Sequence, residues 1–478
     1  MILRRNFHVP VGAGTHARHT DMAAHPLVAL RTATGLSQSA YAQLIARVHA
    51  ELGHGQMAAR REKVSRWESG RITPELSAQL AIARIHDVDR DIVLRLGWPR
   101  WLPGATGDHA LSGQPWNPQA AIGVTRATAE ATWDCGPTLI ITGPSLAGQI
   151  RGAVQALTDP RPPARDGPRI TPATLTWSEA RIRALEELEA GSPMHQGALY
   201  LAARAEYRLV SDLLTRCGYD PATGARLLLL AARSAALCTW ISGALGEEVR
   251  AERYALAAIR AASAAGAPRH TAAYLSLLSL RHLRRGDPRD ALSLLRASRT
   301  VDPRPTHRLA VIQHTRHARA LARLGEHAAA LRALDHAERA LAGTSPTWDA
   351  QADPTGSYVN DEFLTLARGQ TWLRLGEPVR ALSCYHSVLT DGTPPSQPPS
   401  PHAAARLRPV VEAQLATGDI DAATAAVRAA ADRAGTLPPG LARWFRHRLT
   451  PHSAHPGTRE LLDHLADRPA PYWRTGPD

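Results

Sequence analysis

The sequence predicts an all-α protein, with a small helical domain near the N-terminus followed by a long array of paired helices. From Pro26 to about Leu96, apolar residues recur at helical spacing in short segments that glycine and proline separate. From Trp177 onward the chain is rich in alanine, leucine and arginine, and it repeats one pattern of helix, Gly followed by Asp or Glu, and helix. Because 478 residues exceed the size of one compact domain, at least two folding units are expected.

Composition and length divide the chain into five segments. We predict a flexible basic arm over residues 1–24, a helical domain over 25–97, a proline-rich connector over 98–174, the helical array over 175–467 and a tail over 468–478. Within the connector, Thr138–Thr142 could form a short strand and Ser145–Leu157 a helix. The rest of that segment receives no assignment.

Charge and cysteine usage narrow the classes of partner and cofactor. The chain has 56 Lys and Arg against 43 Asp and Glu, and residues 1–103 hold 14 basic against 8 acidic side chains, which favours a polyanionic partner. The cysteines are too far apart for a zinc site or a redox motif, so we expect reduced thiols and neither a metal nor another cofactor. They are Cys135, Cys217, Cys238 and Cys384. The sequence contains no expected membrane span or signal peptide, which predicts a cytoplasmic protein.

Turns of glycine and an acidic residue mark the array. They lie at Gly246-Glu247, Gly286-Asp287, Gly325-Glu326, Gly376-Glu377 and Gly418-Asp419, at spacings of 40, 39, 51 and 42 residues, the long one containing an insertion over 343–357. This recurrence is typical of stacked helix pairs, because glycine closes one helix in the left-handed conformation and the acid lies at the start of the next. The pattern resembles longer, irregular tetratricopeptide repeats. That resemblance implies an α-solenoid in which each pair packs against its neighbours and a concave surface receives a partner.

The most informative motif lies in the first helical domain. Ser37 is expected to cap the second helix. A third helix begins near Arg60 or Arg61 and ends at Gly70. Val64 and Trp67 share one side of that helix and should be buried, which leaves the charged residues between them on the opposite face.

This motif resembles the helix-turn-helix of the xenobiotic-response-element family of regulators over about Pro26 to Val88. The resemblance implies that the third helix enters the major groove of double-stranded DNA. The DNA-binding residues that it implies are Gln38, Arg60, Arg61, Glu62, Lys63, Ser65, Arg66 and Arg71. Roughly a dozen additional residues between Gln43 and Arg60 depart from the family and predict a longer second helix followed by a small loop.

The combination of motif and array resembles actinobacterial transcriptional regulators, whose array dimerises and binds a signal. We therefore expect a homodimeric, sequence-specific DNA-binding regulator that senses a peptide, a small molecule or a protein. An enzyme is not expected, because Gly143–Gly148 lacks the Gly-Lys-Ser/Thr ending of a phosphate loop, and His314 and His317 lack further metal ligands. The alternative is an interaction scaffold or antitoxin-like adaptor, in which the array binds a protein partner.

Overall fold

The computed structural model describes residues 26–33, 36–86, 114–131, 141–191, 196–344, 358–389, 401–434 and 437–466, with single positions between 88 and 102. Within these residues the chain folds into helices and forms no strand, apart from two isolated bridges that join Arg165 to Tyr219 and Arg169 to Gly218. The predicted all-α class is therefore confirmed. The predicted arm over 1–24 and tail over 468–478 lie outside the described residues.

Packing separates the chain into two compact units, residues 1–107 and 108–478. In the part of the first unit that the structure describes, the helices with assigned limits are α1 (Pro26–Ala33), α2 (Gln38–Glu51), α3 (Arg61–Glu68) and α4 (Leu76–Ile85). Their apolar faces meet in one core, because each short helix carries its apolar residues at helical spacing. Its fully buried members include Leu27, Tyr41, Ile45, Val64 and Ile82.

The second unit is a succession of helices, most of which contact the next one along the chain. They are α5 (Pro118–Glu130), α6 (Gly143–Ala156), α7 (Pro172–Gly191), α8 (Gln196–Arg216), α9 (Pro221–Ala244), α10 (Glu248–Ala264), α11 (Pro268–Arg285), α12 (Pro288–Val301), α13 (His307–Arg323), α14 (His327–Ala342), α15 (Asp361–Arg374), α16 (Pro378–Leu389), α17 (Pro401–Ala416), α18 (Ile420–Ala434), α19 (Pro439–Leu449) and α20 (Pro456–Ala466).

The segment predicted as a connector over 98–174 instead belongs to both units. Trp101 is buried in the first unit, where its indole Nε1 donates to Gln79 Oε1 at 3.0 Å. The helices α5 and α6 pack on the second unit, and the Arg260 guanidinium donates to the backbone carbonyls of Gln114 and Pro115. Pro118 and Pro144 occupy the first turn of α5 and α6, where the missing N–H costs nothing, so these two prolines do not mark a linker.

The residues predicted as a strand, Thr138–Thr142, are described only at positions 141 and 142, which are not in a strand. The Ile141 N–H donates to the Glu252 carboxylate at 3.1 Å, so this bond goes to a side chain of α10. The predicted helix after it is confirmed as α6.

The turns of the array follow the prediction with one exception. Four of the five predicted glycines have positive φ angles between 78° and 81°, whereas Gly286 has φ −105°. Its turn closes differently, because Asp287 accepts from the Arg289 N–H and the Gly286 carbonyl accepts from Arg323. A further turn at Gly266, with φ 68°, lacks the acidic residue, so the sequence pattern did not predict it.

Packing in the second unit is not confined to neighbouring helices. Arg408 on α17 donates to Glu248 on α10 at 3.2 Å, across 160 residues of sequence. The α9–α10 turn also touches the start of α19, where a Cβ added to Gly246 would lie 2.5 Å from the carbonyl carbon of Gly440. The expectation that each pair packs only against its neighbours is wrong here, because a periodic pattern does not report contacts between distant turns.

One described helix, α9, meets the length and composition criteria for a membrane span, although the sequence raised no such expectation. It has 24 residues, and 89% of its most apolar window is buried inside the protein. Its apolar surface is therefore largely used in packing against other helices of the second unit.

Candidate nucleic-acid interface

The third helix, α3, divides its residues between a buried face and an exposed face. Val64 and Trp67 are 0% and 6% exposed, which confirms the prediction that they are core residues. The exposed face is made by Arg61, Glu62, Ser65 and Arg66. These four positions follow the i, i+1, i+4, i+5 spacing of one side of a helix, so their side chains share a surface.

The remaining predicted residues lie at the two ends of α3 and at the start of α2. Arg60 precedes the first turn in an extended conformation and is exposed. Arg71 is exposed beyond Gly70, whose φ of 67° turns the chain away from the helix axis. Lys63 and Gln38 are both partly buried. The structure therefore exposes six of the eight predicted residues in or immediately beside α3.

The helix α2 runs to Glu51 and is followed by a nine-residue loop over 52–60, in line with the expected long second helix and small loop. Ser37 caps α2 by accepting from the Ala40 N–H at 3.2 Å, and the helix continues to Glu51. The loop over 52–60 is mostly exposed, and it is tied to α2 by a 3.0 Å hydrogen bond between His49 Nδ1 and the Gly55 carbonyl.

A hydrogen-bonded network centred on Glu68 holds the first three helices together. Arg31 on α1 donates from Nε to Glu68 Oε1 at 2.6 Å, and Gln38 donates from Nε2 to Glu68 Oε2 at 2.6 Å. Arg61 in turn donates from Nε to Gln38 Oε1 at 3.2 Å. Charge-assisted bonds of this kind are short and directional, so the network sets the position of α3 relative to α1 and α2.

Gln38 therefore has a role that sequence reasoning did not assign. Both polar atoms of its amide have protein partners, so it links Glu68 to Arg61. An amide can accept and donate more than once, which leaves Gln38 hydrogen-bonding capacity at this surface. The hydrogen bond from Arg61 to Gln38 holds the Arg61 guanidinium at the start of α3.

Glu68 was missed by the sequence analysis, although its spacing carries a signal. It lies four residues after Val64, on the buried side of the helix, and its side chain is only 5% exposed. A carboxylate on an apolar face requires a cation or several donors, because an unpaired buried charge is costly. The partners could not be identified without the tertiary structure.

A second contact joins α2 to the end of α4. The Tyr41 hydroxyl lies 2.7 Å from His86 Nε2. Burial lowers the pKa of His86 and raises that of Tyr41, so the neutral ring is favoured and its Nε2 can accept the phenol proton. The scaffold behind α3 is thus held by polar as well as apolar contacts.

Replacing Glu68 by alanine should lower the free energy of unfolding of the first unit by about 2 kcal/mol. The substitution removes the hydrogen bonds that Glu68 accepts from Arg31 and Gln38, and it takes the carboxylate away from the partly buried Arg31 guanidinium. The matched control is Glu62→Ala on the exposed face of the same helix, which should change stability by less than about 0.5 kcal/mol. Urea denaturation monitored by tryptophan fluorescence measures both, and equal effects would contradict the assigned network.

Among the described residues, no group of three or more His, Cys, Asp or Glu side chains is arranged to hold a metal ion. His314, which the sequence analysis considered as a ligand, stacks on the ring of His336 at 5.2 Å between centroids. Burial, with a smaller contribution from nearby His336 and Arg299, lowers the pKa of His314 to about 4.

Comparisons with known proteins give no relative for this chain. No family model matches the sequence. No curated protein matches it, and no solved structure matches the fold.

Proposed function

We propose that this chain is a sequence-specific DNA-binding transcriptional regulator. In this proposal the first unit is a helix-turn-helix domain of the xenobiotic-response-element type, and α7 to α20 form a tetratricopeptide-like α-solenoid that dimerises and receives a signal. The observation that carries the proposal is the exposed face of α3, which presents Arg61 and Arg66 to solvent while Val64 and Trp67 anchor the helix from behind.

The chemistry of that face suits the major groove of a DNA duplex. A helix fits the groove, a guanidinium can donate two hydrogen bonds to guanine O6 and N7, and a carboxylate can accept from cytosine N4. Arg61, Arg66 and Glu62 supply these groups. Arg60 and Arg71, at the two ends of α3, are placed to meet phosphates, which position the protein without specifying sequence.

A homodimer would place two copies of α3 on one duplex. With two-fold symmetry the half-sites would lie about 10 to 10.5 base pairs apart, or a multiple of that distance. A signal bound to the array could change DNA affinity only by favouring one arrangement of the two DNA-binding domains over another.

The decisive experiment selects bound fragments from a genomic DNA library and then measures affinity for the recovered site by fluorescence anisotropy. The Arg61→Ala, Arg66→Ala double variant should bind the site at least about 30-fold more weakly, since each base contact contributes about 1–3 kcal/mol. The charge-matched control is Arg216→Ala, Arg226→Ala, which removes two exposed arginines from the second unit. It should retain the affinity of the wild type.

Two salt concentrations separate specific recognition from general attraction to a polyanion. Binding must weaken as salt rises, because each phosphate contact releases counterions. The proposal is wrong if both double variants bind DNA as tightly as the wild type does. It is also wrong if the wild type binds DNA without sequence preference. A protein partner retained by the Arg61→Ala, Arg66→Ala variant would then favour the scaffold alternative.

A further inference from the structure

A cavity in the second unit is lined by arginines from four different helices. We call it the arginine pocket and define it by Arg284 on α11, Arg319 on α13, Arg374 on α15 and Arg408 on α17, together with Glu248 and Glu412. It encloses about 640 Å³, including its open mouth. The pocket thus brings together side chains that lie up to 164 residues apart in the sequence, from Glu248 to Glu412.

The described arginines at this pocket that form ion pairs do so with two carboxylates, Glu248 and Glu412. Glu248 accepts from Arg281 at 2.8 Å, from Arg408 at 3.2 Å and from Arg284 at 3.4 Å. Glu412 accepts from Arg374 at 2.6 Å and from Arg448 at 3.0 Å. Five guanidinium groups therefore share two negative charges, which leaves an excess of positive charge beside a water-accessible cavity.

Arg319 adds to this excess. It has no carboxylate partner among the residues that the structure describes, and its Nε is buried without a hydrogen bond. Burial, with a smaller contribution from the nearby Arg374 and Arg284, lowers the pKa of Arg319 to about 9. Concentrating unpaired cations in this way is costly unless an anion joins them.

The charge balance indicates what that anion should be. Of the residues that line the pocket, four are arginines and two are glutamates, so the lining carries two more positive than negative charges. A phosphate monoester carries about −1.5 to −2 charges at neutral pH and offers three acceptor oxygens, whereas a monocarboxylate would leave one charge uncompensated. Guanidinium groups bind phosphate through paired N–H donors.

The side-chain amide of Gln370 adds neutral hydrogen-bonding capacity to the same lining. The 640 Å³ includes open solvent at the mouth, so the organic part of a phosphorylated molecule can extend outward while its phosphate meets the arginines. We infer that the arginine pocket binds the phosphate group of a small phosphorylated organic molecule, with Arg319 and Arg374 as the principal donors. This site is separate from the DNA-binding proposal and can be tested without DNA.

The test is isothermal titration calorimetry of the full chain in phosphate-free buffer. Inorganic phosphate and glucose 6-phosphate are the probes, and succinate is a dicarboxylate of similar charge, all at one ionic strength set with chloride. Glucose 6-phosphate should bind saturably and more tightly than succinate. Arg319→Gln and Arg374→Gln should each weaken its binding by about tenfold or more, because each removes a charged donor.

The matched control is Arg428→Gln, which removes an exposed, ion-paired arginine outside the pocket and should leave binding unchanged. Circular dichroism checks the fold of every variant, and Arg319→Gln should not lower the melting temperature, because no carboxylate loses its partner and a buried, unpaired charge is removed. Absence of saturable phosphate binding would overturn the inference. So would equal affinities in all three variants, or succinate binding as tightly as glucose 6-phosphate.

Discussion

Replacing Glu248 by glutamine is expected to lower the free energy of unfolding of the second unit by about 3–5 kcal/mol, since it removes one charge from a buried ionic cluster. The carboxylate is 4% exposed and accepts from Arg281, Arg284 and Arg408. Arg281 is itself only 1% exposed, and burial lowers its pKa to about 9 even with the carboxylate present. Without Glu248 its cation would have no nearby counter-charge.

Urea denaturation followed by far-ultraviolet circular dichroism measures this loss. The matched control is Glu179→Gln, which breaks an Arg–Glu pair of similar geometry between α7 and α9. That pair is far more exposed, with Arg226 at 51%, so the control should cost less than about 1 kcal/mol. Equal losses in the two variants would show that burial of the Glu248 cluster does not contribute as argued.

Substituting Gly246 by alanine should destabilise the second unit by about 3 kcal/mol, for two additive reasons. The left-handed conformation, with φ 78°, is unfavourable for any residue with a Cβ. The new methyl group would also lie 2.5 Å from the backbone of Gly440, which is closer than two carbon atoms can approach. Because backbone atoms occupy that space, relief requires α19 to move away from the α9–α10 turn.

The Gly376→Ala variant separates the conformational penalty of the left-handed backbone from the steric clash with Gly440. Gly376 ends α15 with φ 81°, and a Cβ there would meet no atom within 4 Å. This control should therefore cost only the conformational penalty of about 1–2 kcal/mol. Thermal melting of both variants gives the comparison, and a Gly246→Ala loss no greater than that of Gly376→Ala would mean that the contact with Gly440 is not tight.

Local patterns in the sequence were sufficient for the elements of the first unit. The cap at Ser37, the limits of α3 and the burial of Val64 and Trp67 all depend on residues within a few positions of one another. Capping, glycine conformation and helical periodicity act over one or two turns, so they can be predicted from the sequence alone. The same reasoning found four of the five left-handed turn glycines and the helix α6.

Long-range features were decided only by tertiary structure. The sequence shows that Glu68 and Glu248 are acidic, but their arginine partners lie 37 and up to 160 residues away, and no local rule selects them among the many arginines of this chain. Trp101 and α5 were assigned to a connector because proline marks both linkers and helix starts, and only packing separates the two.

What the sequence by itself determined is therefore the helical class, the turn positions and the face of α3 that meets solvent. The tertiary structure decided which charged groups are brought together: the Glu68 network behind α3 and the arginine pocket of the second unit. The physical reason is that a helix forms from contacts a few residues apart, whereas an ion pair between helices depends on how the whole chain packs.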